Sequence, residues 1–133
     1  MIELTVSRLN KKFGGNHVLK DVSFEIKGAE MIGLIGPNGA GKTTLTNVLD
    51  GAVKPNSGTV YLNGKRIDQL PPFEIAKTGL GRTFQVTRSF RRMTVLENLY
   101  VPALALGKSH TGNEVKEQAL EVLEFLTMEH LRN

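Results

Sequence analysis

GPNGAGKTT, residues 36–44, decides how this chain is read. It fits G-x-x-x-x-G-K-[ST], the phosphate-binding loop, with Gly36, Gly41, Lys42 and Thr43 at the fixed positions. Asn38, Gly39 and Ala40 fill the interior of the loop, and Thr44 follows it. Phosphate oxygens need several donors close together, and glycines let backbone N–H groups converge where side chains would obstruct. Lys42 is then placed for the β- and γ-phosphates and the Thr43 hydroxyl for Mg²⁺. The rival pattern, a dinucleotide-binding G-x-G-x-x-G turn, fails: Gly39-Ala40-Gly41 is followed by Lys, Thr and Thr, with no third glycine.

The surroundings support the loop. Before it, residues 31–35 (MIGLI) form a short apolar run that reads as a buried strand, apolar on both faces as a central parallel strand requires. After it, residues 43–49 contain no breaker and Gly51 stands where a helix C-cap is expected. Strand, loop and helix thus occur in the order that aims a helix N-terminus at a bound anion.

Working outward, Ile2, Leu4 and Val6 alternate with polar residues, and Val22, Phe24 and Ile26 do so again beyond a turn at residues 12–16. Two antiparallel strands joined across that turn are expected. KPNSG at residues 54–58 is a turn signal, residues 59–62 a strand, and Asn63-Gly64 a tight hairpin return. Pro71-Pro72 opens a short helix through Lys77, and residues 80–84 read as another strand. From Thr94 the period becomes helical, with Val95, Leu96, Leu99 and Tyr100 on one face. Residues 107–112 break it, and residues 113–128 form an amphipathic helix with Val115, Ala119, Val122, Leu123 and Leu126 in one stripe.

The chain has 133 residues, 40% hydrophobic and 23% charged, which suits one globular domain and argues against disorder. Without cysteine, neither a disulfide framework nor a thiolate metal site is available. No apolar run reaches membrane-spanning length, the nearest being residues 99–106, interrupted by Pro102. No signal peptide is read at the N-terminus, where Glu3 and Arg8 interrupt. The net charge of +4 is a mild basic excess, and the clusters at Lys11-Lys12 and Arg88, Arg91 and Arg92 read as solvated surface rather than a nucleic-acid contact. His17, His110 and His130 also read as surface residues.

On GPNGAGKTT, on Ser57-Gly58-Thr59-Val60 followed by Asn63-Gly64, and on Gly81-Arg82-Thr83-Phe84-Gln85, the chain resembles the ATPase subunit of ATP-binding cassette (ABC) transporters along its whole length. With residues 93–98 (MTVLEN) it is most similar to the importers of branched-chain amino acids. The resemblance implies an α/β P-loop NTPase fold and its N-terminal portion. That portion comprises an antiparallel β subdomain, the phosphate-loop strand and helix, and the start of the helical subdomain, without the C-terminal half of the core. One partial domain over residues 1–133 is expected, with the β subdomain and phosphate-loop core at 1–85 and the Q-loop region and helical start at 86–133.

The resemblance also assigns roles. Phe13 corresponds to the aromatic that stacks on adenine, a contact insensitive to base identity. Thr44 matches the hydroxyl beside the α-phosphate. Gln85 matches the residue that touches Mg²⁺ and the attacking water, and residues 86–99 the surface that docks the permease. ATP and Mg²⁺ are the implied ligands. A second cassette and membrane permease subunits are the implied partners, nucleic acid is not expected, and the implied place is the cytoplasmic face of the membrane.

Phosphoryl transfer needs more than a cradle: a second metal anchor and a group to orient water. The family's aspartate-ended apolar strand with its catalytic glutamate, its L-S-G-G-Q-like signature and its switch histidine have no counterparts in this sequence. The expectation is therefore a partial cassette that binds ATP weakly without turnover. The alternatives are a non-catalytic regulatory module, another P-loop enzyme such as a small GTPase or kinase (against which no [NT]-K-x-D motif is present), or a cassette serving translation or DNA repair.

Overall fold

The computed structural model describes residues 2–84, 86, 89–105, 112–128 and 130. The chain divides into two compact units, Met1–Gly81 and Arg82–Asn133.

In the first unit the alternating segments form an antiparallel sheet. β1 (Glu3–Phe13) pairs with β2 (Asn16–Lys27) on one side and β3 (Ser57–Leu62) on the other, and β4 (Lys65–Arg66) closes the order β2-β1-β3-β4. Register places apolar residues opposite one another: Leu4 faces Ile26 and Leu62, and Val6 faces Phe24 and Val60. Directly opposed positions share a face, so these trios build one apolar side of the sheet. Helix α1 (Lys42–Leu49) contributes Leu45 and Val48 to the cluster on that side, and α2 (Pro72–Lys77) contributes Ile75. Strict alternation would turn Leu9 away from the core that takes Leu4 and Val6. Arg8 adopts φ 45° and the register shifts between Val6 and Leu9, so the bulge returns Leu9 inward, where it is fully buried.

The hairpin return at Asn63-Gly64 and the helix opened by Pro71-Pro72 stand where the sequence places them. Ile2, by contrast, is 61% exposed and precedes the strand. The run 31–35 is not a buried strand: it belongs to none of the four paired strands, and Met31 and Ile35 are almost fully exposed. Residues 80–84 likewise form no strand, for want of a ladder partner among the described residues.

Beyond β4, the Asp68 carboxylate is buried at 3% exposure. It accepts from the Val60 N–H at 3.0 Å, from Arg66 Nε and Nη2 at 3.0 Å each, and from Gln69 Nε2 at 2.9 Å. Burial alone would push this carboxyl up; the Arg66 guanidinium, the Val60 N–H and the Gln69 amide outweigh it and hold it at about 2. A pKa depressed on folding contributes stability that is complete above the ordinary aspartate value near pH 4 and lost as pH falls through about 2. Asp68→Asn is therefore expected to lower the urea midpoint at pH 7 and to flatten its decline between about pH 4 and 2. An unchanged acid limb in the variant would remove Asp68 from that role.

In the second unit, α3 (Val95–Ala105) packs against α4 (Gly112–Phe125), and Val115, Ala119 and Leu123 are buried. The stripe is narrower than its sequence suggests: Val122 and Leu126 are 43% and 50% exposed. Helix α3 opens on a capping box, in which Glu97 Oε2 accepts from the Thr94 N–H at 2.7 Å and Thr94 Oγ1 from the Glu97 N–H at 3.2 Å. Asn98 ties the preceding turn to it, accepting from the Phe90 N–H and donating to the Phe90, Met93 and Thr94 carbonyls. The expected break at 107–112 falls mostly outside the described residues, as do His110 and Arg88. Among the described residues, no helix is long and apolar enough to cross a membrane.

Candidate functional site

The loop at 36–44 wraps on itself and feeds directly into α1. Lys42 donates from Nζ to the Gly36 carbonyl at 2.5 Å and the Pro37 carbonyl at 2.8 Å, and the Ala40 N–H reaches Pro37 at 3.2 Å. Gly41 is the N-cap at φ 90°, a left-handed conformation that disfavours other residues. A Cβ there would also lie 3.1 Å from both Leu19 Cδ2 and the Val18 carbonyl. Glycine thus lets the loop press against β2, which seats the start of α1 beside the β1–β2 hairpin.

That contact creates a cleft of about 370 Å³. From the loop side it is lined by Asn38, Gly39, Ala40, Gly41, Lys42, Thr43 and Thr44, and from the hairpin side by Phe13, Asn16 and Val18. Residues 31 apart in sequence, Phe13 and Thr44, thereby face one space. Gly36 takes part through its carbonyl bond to Lys42 and does not line the cleft. Gln85 lies outside the described residues. Asn16 and Val18 are additions that sequence reading missed; the alternation of β2 predicts burial, whereas proximity to Gly41 is what puts Val18 at the cleft.

The loop side concentrates positive potential. The first N–H groups of α1 lack helical partners, the helix dipole adds to them, and no acidic residue occupies the first turn. Lys42 supplies a full charge, and Thr43 and Thr44 add hydroxyls. The hairpin side is a half-exposed aromatic ring, Phe13 at 49%, beside the aliphatic side chain of Val18. A ligand matching both sides has a flat apolar group joined to a polyanion.

Thr43 offers one oxygen ligand, and among the described residues no three His, Cys, Asp or Glu side chains gather to hold a metal. This donor set fits Mg²⁺ carried in by phosphate oxygens and water better than a dedicated protein cage. A second cleft, about 400 Å³, lies at the β1 bulge among Ser7, Arg8, Asn10, Asp21 and Ser57. It mixes opposite charges and has no helix N-terminus, so it matches a polyanion less well than the loop cleft does.

Sheet, loop and helix define a P-loop nucleotide-binding domain of the cassette type. The ABC transporter family profile matches residues 19–133, and the chain belongs to that family. It is 49% identical over 98 residues to the high-affinity branched-chain amino acid transport ATP-binding protein LivG of Salmonella typhimurium, a match covering 74% of this chain and 38% of that protein. To the probable branched-chain amino acid transport ATP-binding protein LivG of Archaeoglobus fulgidus it is 37% identical, covering 96% of this chain and 54% of that one. The lipopolysaccharide export system ATP-binding protein LptB of Haemophilus influenzae is also 37% identical, with 98% and 54% covered.

Among solved structures, the ADP conformation of MJ1267, an ATP-binding cassette of an ABC transporter, superposes with a TM-score of 0.84 at 35% identity, covering all of this chain and 57% of its own. The chain thus spans less than two thirds of the length of these relatives. The fold class expected from the sequence, the N-terminal portion of an ABC-type P-loop ATPase, agrees with this superposition.

Proposed function

We propose that the chain is the nucleotide-binding portion of an ABC importer ATPase, serving the uptake of branched-chain amino acids, and that it binds ATP–Mg²⁺ in the cleft between hairpin and phosphate loop. The observation that carries this reading is the convergence of Phe13 with residues 38–44 on one space. Phe13 stacks the base, Gly39–Thr44 backbone and Lys42 take the phosphates, Thr44 sits by the α-phosphate, and Thr43 with phosphate oxygens holds the metal. Bound Mg²⁺ supplies charge neutralisation across the β- and γ-phosphates.

The 49% identity over 98 residues to the LivG of Salmonella typhimurium supports the amino-acid assignment; over nearly the whole chain, the LivG of Archaeoglobus fulgidus and the lipopolysaccharide export protein stand level at 37%. A second cassette and permease subunits are the proposed partners, at the cytoplasmic face of the membrane, with Gln85 and the segment after it as the docking region. Exposed Val86 and Phe90 in that stretch, with exposed Phe84 just before it, support an interaction surface.

No aspartate-ended apolar strand with a following glutamate occurs in the sequence, so this chain is proposed to bind without turnover. Calorimetric titration with Mg–ATP, paired with a phosphate-release assay, tests both parts. Saturable binding with release at buffer level is expected, and Phe13→Ala should weaken ATP about tenfold by the usual worth of a base–aromatic stack. Absent binding sinks the assignment, and steady release lost in Lys42→Ala sinks the claim of no turnover.

A further inference from the structure

We infer that Lys11 is a positioning residue for the base: its ammonium fixes the Phe13 ring from outside the cleft lining and ties it to the turn that leaves α1. The inference rests on the nucleotide reading of that cleft. Lys11 belongs to a basic pair whose sequence reads as solvated surface, yet it is half-buried and doubly engaged. Its Nζ lies 4.9 Å from the centroid of the Phe13 ring, inside the range of a cation–π contact. The same Nζ donates to the Lys54 carbonyl at 2.7 Å.

Two further bonds hold the backbone in place. The Lys12 N–H donates to Asn56 Oδ1 at 2.6 Å, and the Asn56 N–H to the Asn10 carbonyl at 2.9 Å.

A phenylalanine near a hairpin tip and 49% exposed has little packing to hold its plane. A stacking platform that must be ordered on binding loses affinity to the side-chain entropy it gives up. The ammonium over one face removes that freedom in advance, and the Lys54 carbonyl keeps the ammonium from wandering. Phe13 lines the cleft and Lys11 does not, so the cation holds the ring without being part of the space a base would fill.

The anchor is informative as well. Lys54 stands in the turn after α1, closed by the Val53 N–H on the Asn47 carbonyl at 2.8 Å. The first turn of that same helix carries Lys42, Thr43 and Thr44. Base platform and phosphate loop are therefore both registered on α1, which sets the span between ring and phosphates.

The test titrates Mg–ATP and Mg–tripolyphosphate into the chain and into its Lys11→Met and Lys11→Arg variants. Lys11→Met should weaken ATP about threefold, leave tripolyphosphate unchanged, and be rescued by Lys11→Arg. Equal weakening of both ligands would make Lys11 a general attractor of anions, and unchanged ATP affinity would show the ring held without it; either overturns the inference. If the unsubstituted chain binds tripolyphosphate but not ATP, the nucleotide reading fails separately. The contact itself is then decided by the Lys11 side-chain methylene resonances. These should be shifted upfield by the ring and return to ordinary positions in Phe13→Leu; ordinary positions from the outset overturn the inference whatever ATP does.

Discussion

Replacing Lys42 by alanine is expected to weaken Mg–ATP about a hundredfold while leaving the fold nearly as stable as before. The ammonium spans the loop between the Gly36 and Pro37 carbonyls, so it holds the loop curved before any ligand arrives. When polyphosphate enters, the same group is within the cleft and trades neutral acceptors for charged ones. Charge-assisted bonds of this kind contribute about 1.5–3 kcal/mol each, and about 2.7 kcal/mol corresponds to a hundredfold in affinity.

Lys42→Arg should recover little. A planar fork on a longer stem does not occupy the position of a compact ammonium bonded to two carbonyls. Stability moves little because no apolar surface is exposed, and a urea midpoint checks this alongside the calorimetric constant. Affinity in Lys42→Ala within threefold of the unsubstituted chain would mean that the phosphates bind elsewhere.

The phosphate loop was legible because its geometry is local: glycine spacing, lysine and hydroxyl lie within nine residues, and nothing distant has to be known. The β1–β2 and β3–β4 hairpins were legible for the same reason, through period-two alternation and Asn63-Gly64. What the sequence concealed depends on partners far along the chain. Lys11 looks solvated until Lys54 and Phe13 are brought to it. Val18 reads as another strand residue until Gly41 is laid against it.

Leu9 breaks the alternation, and only the Arg8 bulge explains its burial. Residues 31–35 fail in the opposite sense: their composition encodes a central strand, but strand formation needs neighbours, and the described sheet offers them none. Thr94 and Glu97 stand at capping-box spacing, and their part in the phrase 93–98 is to start α3.

Gly58→Ala is expected to destabilise the first unit by about 3 kcal/mol, a large share of the roughly 5–15 kcal/mol typical of a domain. Gly58 holds φ +93°, and a Cβ built there would collide with the Arg8 carbonyl group and the Leu9 Cα. Those atoms are backbone and cannot swing aside. They form the β1 bulge where the register against β3 shifts between Ser7 and Asn10, and where Asn10 Nδ2 holds the Arg8 carbonyl at 2.9 Å. Relieving the overlap means opening the β1–β3 pairing or pushing Leu9 out of the core it fills.

Left-handed strain costs about 1–2 kcal/mol and forced repacking about 1–3. Gly64→Ala separates the two contributions, because Gly64 has φ +77° with nothing within 4 Å of its Cβ position, so only the strain, about 1 kcal/mol, should appear. Neither glycine lines the nucleotide cleft, so ATP affinity per folded molecule should hold in both variants. Equal urea midpoints for the two would show that the approach of β3 to the bulge is not what requires glycine at position 58.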